Sequence, residues 1–445
     1  MSLETVVERK VNMRGGAIFI VMSLIGILAF FYNFKIGEQE TFLVNHMATF
    51  IRTQFSVFMP YFVVLMGVVG MSDLYIRRAK FFHDRTNTFM SIAKIIGFIM
   101  ILLVIFDAGP ALLMKASIGP TILAKILIPI SVTVIVAALF LPFLLDYGLV
   151  DACGVLMRPI MRPLFKAPGL SSVIAVSAFL GNFSIGHIAT DALYKEGRLT
   201  QKEAVIIGTG FCTVSVAFLM VIASTLGILE YWNFYFWSAF FITVAVTAVQ
   251  VRIWPTNKKL DECSPGVTAI PEKVFKTAIF KNAFYEGVDI AAKQTSLLKR
   301  EKIIMRDSVL ILAGFISTVM FFSVLTIVIV EYTMILDYVG YIFYPFLWLV
   351  QVPIADLAIA GKACAISYLE VTLTAIIGTS GPELSLHTKY ILGVVPISAI
   401  VFLAAFVPCI MSTTIPVKLG ELSVIWLQRV ILTILFAGVV GLLYF

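Results

Sequence analysis

The sequence predicts an all-α polytopic membrane protein, with about nine transmembrane helices and two re-entrant hairpins set in two inverted repeats. Three observations carry that prediction. The first is composition: of 445 residues, 60% are hydrophobic and only 13% charged, about half the charged share of an average soluble domain. A globular core this apolar could not cover itself with polar surface, and disorder needs the opposite composition. The second is length, because many apolar runs reach the roughly 20 residues that a helix needs to cross a bilayer. The third is an internal repeat with a matching order of elements around it.

Taken in order, residues 1–121 read as an N-terminal three-helix membrane segment, with runs at Ala17–Phe34, Phe55–Tyr75 and Met90–Asp107. The charged stretch Met1–Arg14 leads into the first run without a small-residue cleavage site, so it is expected to precede a retained helix and not a removed signal peptide. Residues 122–252 form the first repeat, with spans at Ile122–Leu145, Ala204–Leu229 and Phe236–Val251. Residues 253–306 read as a cytoplasmic helical linker, in which Val274, Ala278, Phe284, Val288 and Ala291 recur at near-helical spacing. Residues 307–445 form the second repeat, with spans at Ser308–Val330, Tyr390–Met411 and Val424–Phe445.

Two stretches fit no simple span. Leu170–Leu193 is broken by Gly181, Asn182, Ser184, Gly186 and His187, and Ile354–Ile377 by Asp356, Gly361, Lys362, Ser367 and Glu370. Orientation follows from short-loop Lys and Arg. The clusters Arg9, Lys10 and Arg14; Arg77, Arg78, Lys80 and Arg85; Arg158 to Lys202; and Arg252 to Arg306 all fall on one side if the N-terminus is cytoplasmic. Were either broken stretch a full crossing, later positive loops would land outside. Both therefore read as re-entrant hairpins, which line cavities because lipid cannot satisfy irregular backbone. All Lys and Arg but Lys35, Arg52, Lys115, Lys125, Lys362 and Lys389 are expected at or near the cytoplasmic face. The net charge of +7 then reports topology and calls for no nucleic-acid partner.

The repeat rests on Asp151, Gly154, Pro159 and Pro168, spaced D-x2-G-x4-P-x8-P, and on Asp337, Gly340, Pro345 and Pro353, spaced D-x2-G-x4-P-x7-P. In each copy the pattern follows an apolar span and precedes a broken hairpin, after which two further spans follow. The charge rule runs the leading spans in opposite directions, so the copies are inverted. Inverted repeats with broken helices are the architecture of secondary transporters.

The stretch GLVDACGVLMRPIMRPLFKAPG (Gly148–Gly169), followed by SSVIAVSAFLGNFSIG (Ser171–Gly186), resembles the nucleoside-recognition Gate domain. Its continuation TDALYKEGRLTQKEAVIIGTGFCTVSVAF (Thr190–Phe218) resembles the YjiH family within that superfamily. The resemblance extends from about Ile122 to the C-terminus and is clearest in the first copy. Related domains occur in spore maturation proteins and in a ferrous-iron transporter, and the superfamily is distantly similar to concentrative nucleoside transporters. The resemblance implies a transport-type scaffold whose substrate site is built from two hairpins and two broken helices. It implies no particular substrate.

The substrate-binding candidates are Asn182, Ser184, His187, Thr209, Thr213, Lys362, Ser367 and Glu370. Asn182 has the donors and acceptor to read an amide, base or ribose edge, although polar groups at a hairpin tip also satisfy unwound backbone. His187, standing alone, can equally pack and hydrogen-bond. Lys362 and Glu370 are ionisable residues in an apolar stretch, which usually pair or serve function. Eight residues apart on a helix, they would share a face but not touch, so each needs another partner: Asp356, His187 or the substrate. Thr209 and Thr213 lie in a span with a polar break, where exposed half-helix ends can hold ions; back-bonding to their own helix is the alternative.

Enzyme signatures are weak. Gly208-Thr209-Gly210 has only the opening of a dinucleotide fingerprint. The Gly361-Lys362 pair lacks the rest of a phosphate loop, and no catalytic residue or metal centre is expected from four scattered histidines. The five cysteines form no CxxC pair and read as packing residues. The expectation is a cytoplasmic (inner) membrane transporter of a small polar solute working by alternating access. Nucleosides or nucleobases come first on superfamily similarity, then amino acids or small peptides. No cofactor is expected, and a Na+ or H+ gradient could drive it. Apart from solute and lipid, a second copy or a second Gate-domain subunit could be a partner. The rivals are a structural or regulatory Gate subunit that moves nothing, and an ion pathway using Cys364, Cys409 and Glu370.

Overall fold

The computed structural model describes residues 13–36, 39–76, 85–116, 118–180, 183–272, 274–275, 277–294, 296–379 and 383–445. Asn182, Gly181, Arg9, Lys10, Arg77, Arg78 and Lys80 lie outside the described residues. Among the described residues, the regular structure is helical apart from one antiparallel ribbon, in which Asn33–Ile36 pairs with Gln39–Phe42. Six helices among the described residues are long and apolar enough to cross a membrane: Met13–Phe30, Thr88–Ile105, Gly119–Leu145, Leu229–Gln250, Leu297–Tyr332 and Leu419–Tyr444. The helices Leu43–Gln54 and Met59–Ser72 meet at a bend of 109° and could make a seventh.

Two of the nine expected spans are each two helices. The run at Ala204–Leu229 divides into Gln201–Gly210 and Val216–Leu226, and the run at Tyr390–Met411 into Leu386–Ala399 and Phe406–Met411. The second break begins at Ile400, whose φ of +61° is a left-handed conformation that a β-branched residue rarely adopts. Each interrupted helix starts on a side-chain cap. Thr200 and Glu203 form a capping box, and the Ser385 hydroxyl accepts from the backbone of Thr388.

The two broken stretches are pairs of short helices, Ser171–Leu180 with Phe183–Lys195 and Leu357–Ile366 with Val371–Ile377. A 10-residue helix is about 15 Å long, half of what a crossing needs. The glycines of the repeated motif do the same work in both copies. A Cβ on Gly154 would stand 3.1 Å from Leu170 N, and one on Gly340 would stand 2.9 Å from Lys362 N. In each copy, therefore, the helix after the leading span lies directly on the start of the hairpin that follows. The motif aspartates are both paired, Asp151 with Arg198 and Asp337 with Lys362.

The linker is docked to the membrane part and not simply solvated. Its helix Ile279–Lys293 buries Ala283, Val288 and Ala291 against Phe19, Ala152 and Val155. Val274 and Phe284, expected on the same face, are exposed instead. Ahead of that helix, Glu272 accepts from Arg158 Nε (3.1 Å), Arg162 Nε (2.7 Å) and Gly169 N (2.7 Å). Lys259 donates to Glu421 in Leu419–Tyr444 and to the carbonyl of Pro416, both at 2.7 Å.

Candidate functional site

The second arm of the first hairpin, the turn of the second hairpin and the two helix breaks meet. Phe183, which opens the second arm of the first hairpin, packs its ring 5.6 Å from Phe402 and 5.8 Å from Phe406. Phe402 lies in the second break, and its neighbours Leu403 and Ala404 donate backbone hydrogen bonds of 2.7 and 2.9 Å to the carbonyls of Tyr368 and Leu369 in the turn of the second hairpin. The breaks also touch each other. Thr213 Oγ1, in the first, donates to Ile397 O at 3.1 Å, just before the second. Peptide groups that the interrupted helices leave open are thus satisfied by hairpin turns and side chains.

The arm Phe183–Lys195 is buried along nearly its whole length. His187 is 0% exposed and bridges both interrupted helices. Its Nε2 lies 3.1 Å from Gly208 O, and its Nδ1 lies 3.4 Å from Cys409 Sγ. A carbonyl only accepts, so Nε2 carries the proton and Nδ1 is the acceptor facing the thiol. The Phe406 ring packs edge-to-face on the imidazole, with ring centroids 4.6 Å apart. Four residues on, Asp191 accepts from Thr414 N (2.6 Å), Thr414 Oγ1 (2.7 Å) and Lys195 Nζ (2.6 Å). Asp191 therefore ties the base of the first hairpin to the end of the second interrupted helix. Ser184, on the same arm, is buried too.

The structure distributes the other candidates. Thr209 back-bonds to Val205 O at 2.7 Å within its own helix. Ser367 donates to Cys364 O (2.6 Å) and accepts from Trp426 Nε1 (3.0 Å). Lys362 pairs with Asp337 at 2.9 Å, a partner absent from the expected set. Asp356 is instead occupied by Ser385 N and Thr388 Oγ1. Lys362 and Glu370 do not share a helix face, because the helix ends at Ile366 and Glu370 stands half-buried in the turn beyond it. Among the described residues, no three His, Cys, Asp or Glu side chains gather as metal ligands.

Sequence reasoning missed Arg429. It was placed with the cytoplasmic charges, but its side chain is 0% exposed inside Leu419–Tyr444. The available signal was an ionisable residue in an apolar run, the same signal that singled out Lys362.

Below the hairpins, a cavity of about 510 Å³ lies between Leu149–Phe165 and the linker, lined by Asp146, Asp151, Glu196, Arg198, Glu286 and Arg300 among others. Burial pushes the carboxyls of Asp146 and Asp151 up, while the Arg300 and Arg198 guanidiniums draw them down.

Residues 127–229 match the Gate family, described as nucleoside recognition. An uncharacterized protein of Alkalihalophilus pseudofirmus is 28% identical over 434 residues, which is 94% of this chain and 92% of that protein. An uncharacterized protein of Methanocaldococcus jannaschii is 34% identical over 83 residues, 19% of this chain and 26% of its own. Among solved structures, the concentrative nucleoside transporter CNTnw in an outward-facing state covers 97% of this chain and 93% of its own at 13% identity, with a TM-score of 0.48. Its inward-facing substrate-bound state covers 98% and 92% at 13% identity, with a TM-score of 0.37. The matched segment runs from the helix opening at Ile128 through the first hairpin and both halves of the first interrupted helix. The chain is an all-α polytopic membrane protein, and its residues 127–229 are similar to the Gate family, described as nucleoside recognition.

Proposed function

We propose that the chain is a secondary transporter of a small polar solute in the cytoplasmic membrane, with its N-terminus on the cytoplasmic side. Nucleosides or nucleobases are the first substrate class, because the matched family is described as nucleoside recognition; amino acids or small peptides are the second. In this reading, residues 122–252 and 307–445 are inverted repeats that alternate access, 253–306 bridges them, and 1–121 is a scaffold. The observation that carries it is the meeting of the two hairpins with two interrupted helices, through Phe183, Phe402 and the Leu403–Tyr368 hydrogen bond. Irregular backbone at membrane depth is retained where it lines a path for polar cargo. Asn182, Ser184 and Glu370 at the turns contact solute, while His187 and Thr213 hold the breaks in place around it. Thr209, Ser367 and Lys362 support this frame through the bonds described above.

A second reading, a Gate subunit that moves nothing, is favoured by how many of these polar groups are satisfied within the chain. Purified protein in liposomes separates the two. Uptake of a labelled nucleoside, nucleobase or amino acid under a sodium or proton gradient, lost in Glu370→Gln and Ser184→Ala with the melting temperature kept, supports the transporter. No uptake of any of these under either gradient supports the subunit.

A further inference from the structure

Arg429 is the largest fully buried side chain in the protein. Nε donates to Ser398 O at 2.6 Å and Nη1 to Thr247 Oγ1 at 3.1 Å. Thr247 Oγ1 in turn donates to Gly210 O at 2.9 Å. Among the described residues Arg429 has no carboxylate within ion-pair distance, and its Nη2 has no hydrogen-bond partner. A lone buried guanidinium is costly, so something must offset its charge.

The acceptors identify what does. Gly210 ends the helix Gln201–Gly210, and Ser398 is the next-to-last residue of Leu386–Ala399. These are the C-terminal ends of the first halves of the two interrupted helices. Their open carbonyls are the negative poles of the helix dipoles, each equivalent to about −0.5 elementary charge. Together the two ends come to about −1, which one guanidinium cancels. Thr433 braces the arrangement, its Oγ1 donating to the Arg429 carbonyl at 2.6 Å and accepting from Ser398 Oγ at 2.8 Å. Half-helix ends of this kind inside membranes can coordinate a dissociable cation; here Arg429 reaches the Ser398 end directly and the Gly210 end through Thr247, whose hydroxyl is shared with Thr243 O at 2.8 Å.

We infer that Arg429 is a resident cation that takes the place of a dissociable ion at the C-terminal ends of both interrupted helices, so that neither end binds sodium. The charge balance stands on geometry alone. Its consequence, solute movement that needs no sodium at these ends, rests on the transporter reading above.

Thermal unfolding of the full chain in detergent tests the inference without any transport assay. The wild type should melt at the same temperature in sodium chloride and in choline chloride of equal ionic strength. Arg429→Ala should melt several degrees lower, and about 10 mM guanidinium should restore much of the loss, because a ligand of the folded state stabilises it. Urea at the same concentration, alike in shape but uncharged, should restore nothing. Arg429→Gln, which keeps length but not charge, should respond in the same way and serves if the alanine variant does not fold. Equal effects of urea and guanidinium, or a variant melting like wild type, would overturn the resident charge. A wild type melting higher in sodium than in choline would overturn the exclusion of sodium, and that comparison decides the matter if neither variant folds. The expected melting pattern together with absent uptake would leave the inference standing and sink the transporter reading.

Discussion

His187 shows how a single side chain can hold a broken element in place. Its ring spans from Gly208 to Cys409 and packs against Phe406, so it bolts one interrupted helix to the other. His187→Ala should cost about 2–4 kcal/mol, the scale of a large-to-small change in a packed core, read as a lowered melting temperature. One position earlier, a Cβ on Gly186 would stand 2.6 Å from Cys212 Sγ and 3.0 Å from Ala178 Cβ. Gly186→Ala should cost about 1–3 kcal/mol by overpacking, and adding Cys212→Ala should recover part of it by removing that sulfur. A double variant no more stable than Gly186→Ala would show that the contact with Ala178 decides. At this scale the sequence located polar residues better than it located their partners. Ser184, His187 and Thr213 lie where hairpin and breaks meet, because glycine and hydroxyl residues mark irregular backbone. The Lys362–Asp337 pair was not legible, since a charge's neighbours along the chain do not name its partner; Arg429 was marked by its apolar run, but the run gives no partner for it either.

The elements show a similar division. Hairpins could be read because their polar interruptions and short apolar arms contradict a crossing. Breaks at 211–215 and 400–405 were foreshadowed only by polar residues in runs that otherwise read as single spans, because apolar composition does not report backbone direction. The docking of the linker lay beyond the sequence for a different reason. Its charges do not name their partners along the chain, and Glu272 is held by two arginines and a backbone amide in a site where its side chain is 12% exposed. Glu272→Gln should cost about 1.5–3 kcal/mol, the range for hydrogen bonds to a charged group. Limited proteolysis should then cut faster within residues 254–272. Helix contacts set a stricter limit: a Cβ on Gly97 would fall 1.8 Å from Ser317 O. Gly97→Ala should therefore force Arg85–Ile105 away from Leu297–Tyr332, seen as loss of folded protein on extraction into detergent.

For the molecule as a whole, the charge rule puts the linker on the cytoplasmic side. Cys263 in the linker reports this in a Cys153→Ser background, because Cys153 and Cys263 are half-buried while Cys212, Cys364 and Cys409 are buried. A membrane-impermeant thiol reagent should label Cys263 in inside-out vesicles and leave it unlabelled in right-side-out ones; the reverse would invert the topology. The hairpins also impose an order on biosynthesis. Arms of 10, 13, 10 and 7 residues offer the insertion machinery no segment that can span lipid, so they must wait for walls to enter against. The last wall for the second hairpin is Leu419–Tyr444, whose Trp426 holds Ser367 and whose Arg429 closes both helix ends. Ribosomes make that helix after both hairpins. The hairpin interior is thus assembled around a gap filled only once Leu419–Tyr444 has been made, and a product truncated before Leu419 should be cleared by membrane proteases instead of accumulating.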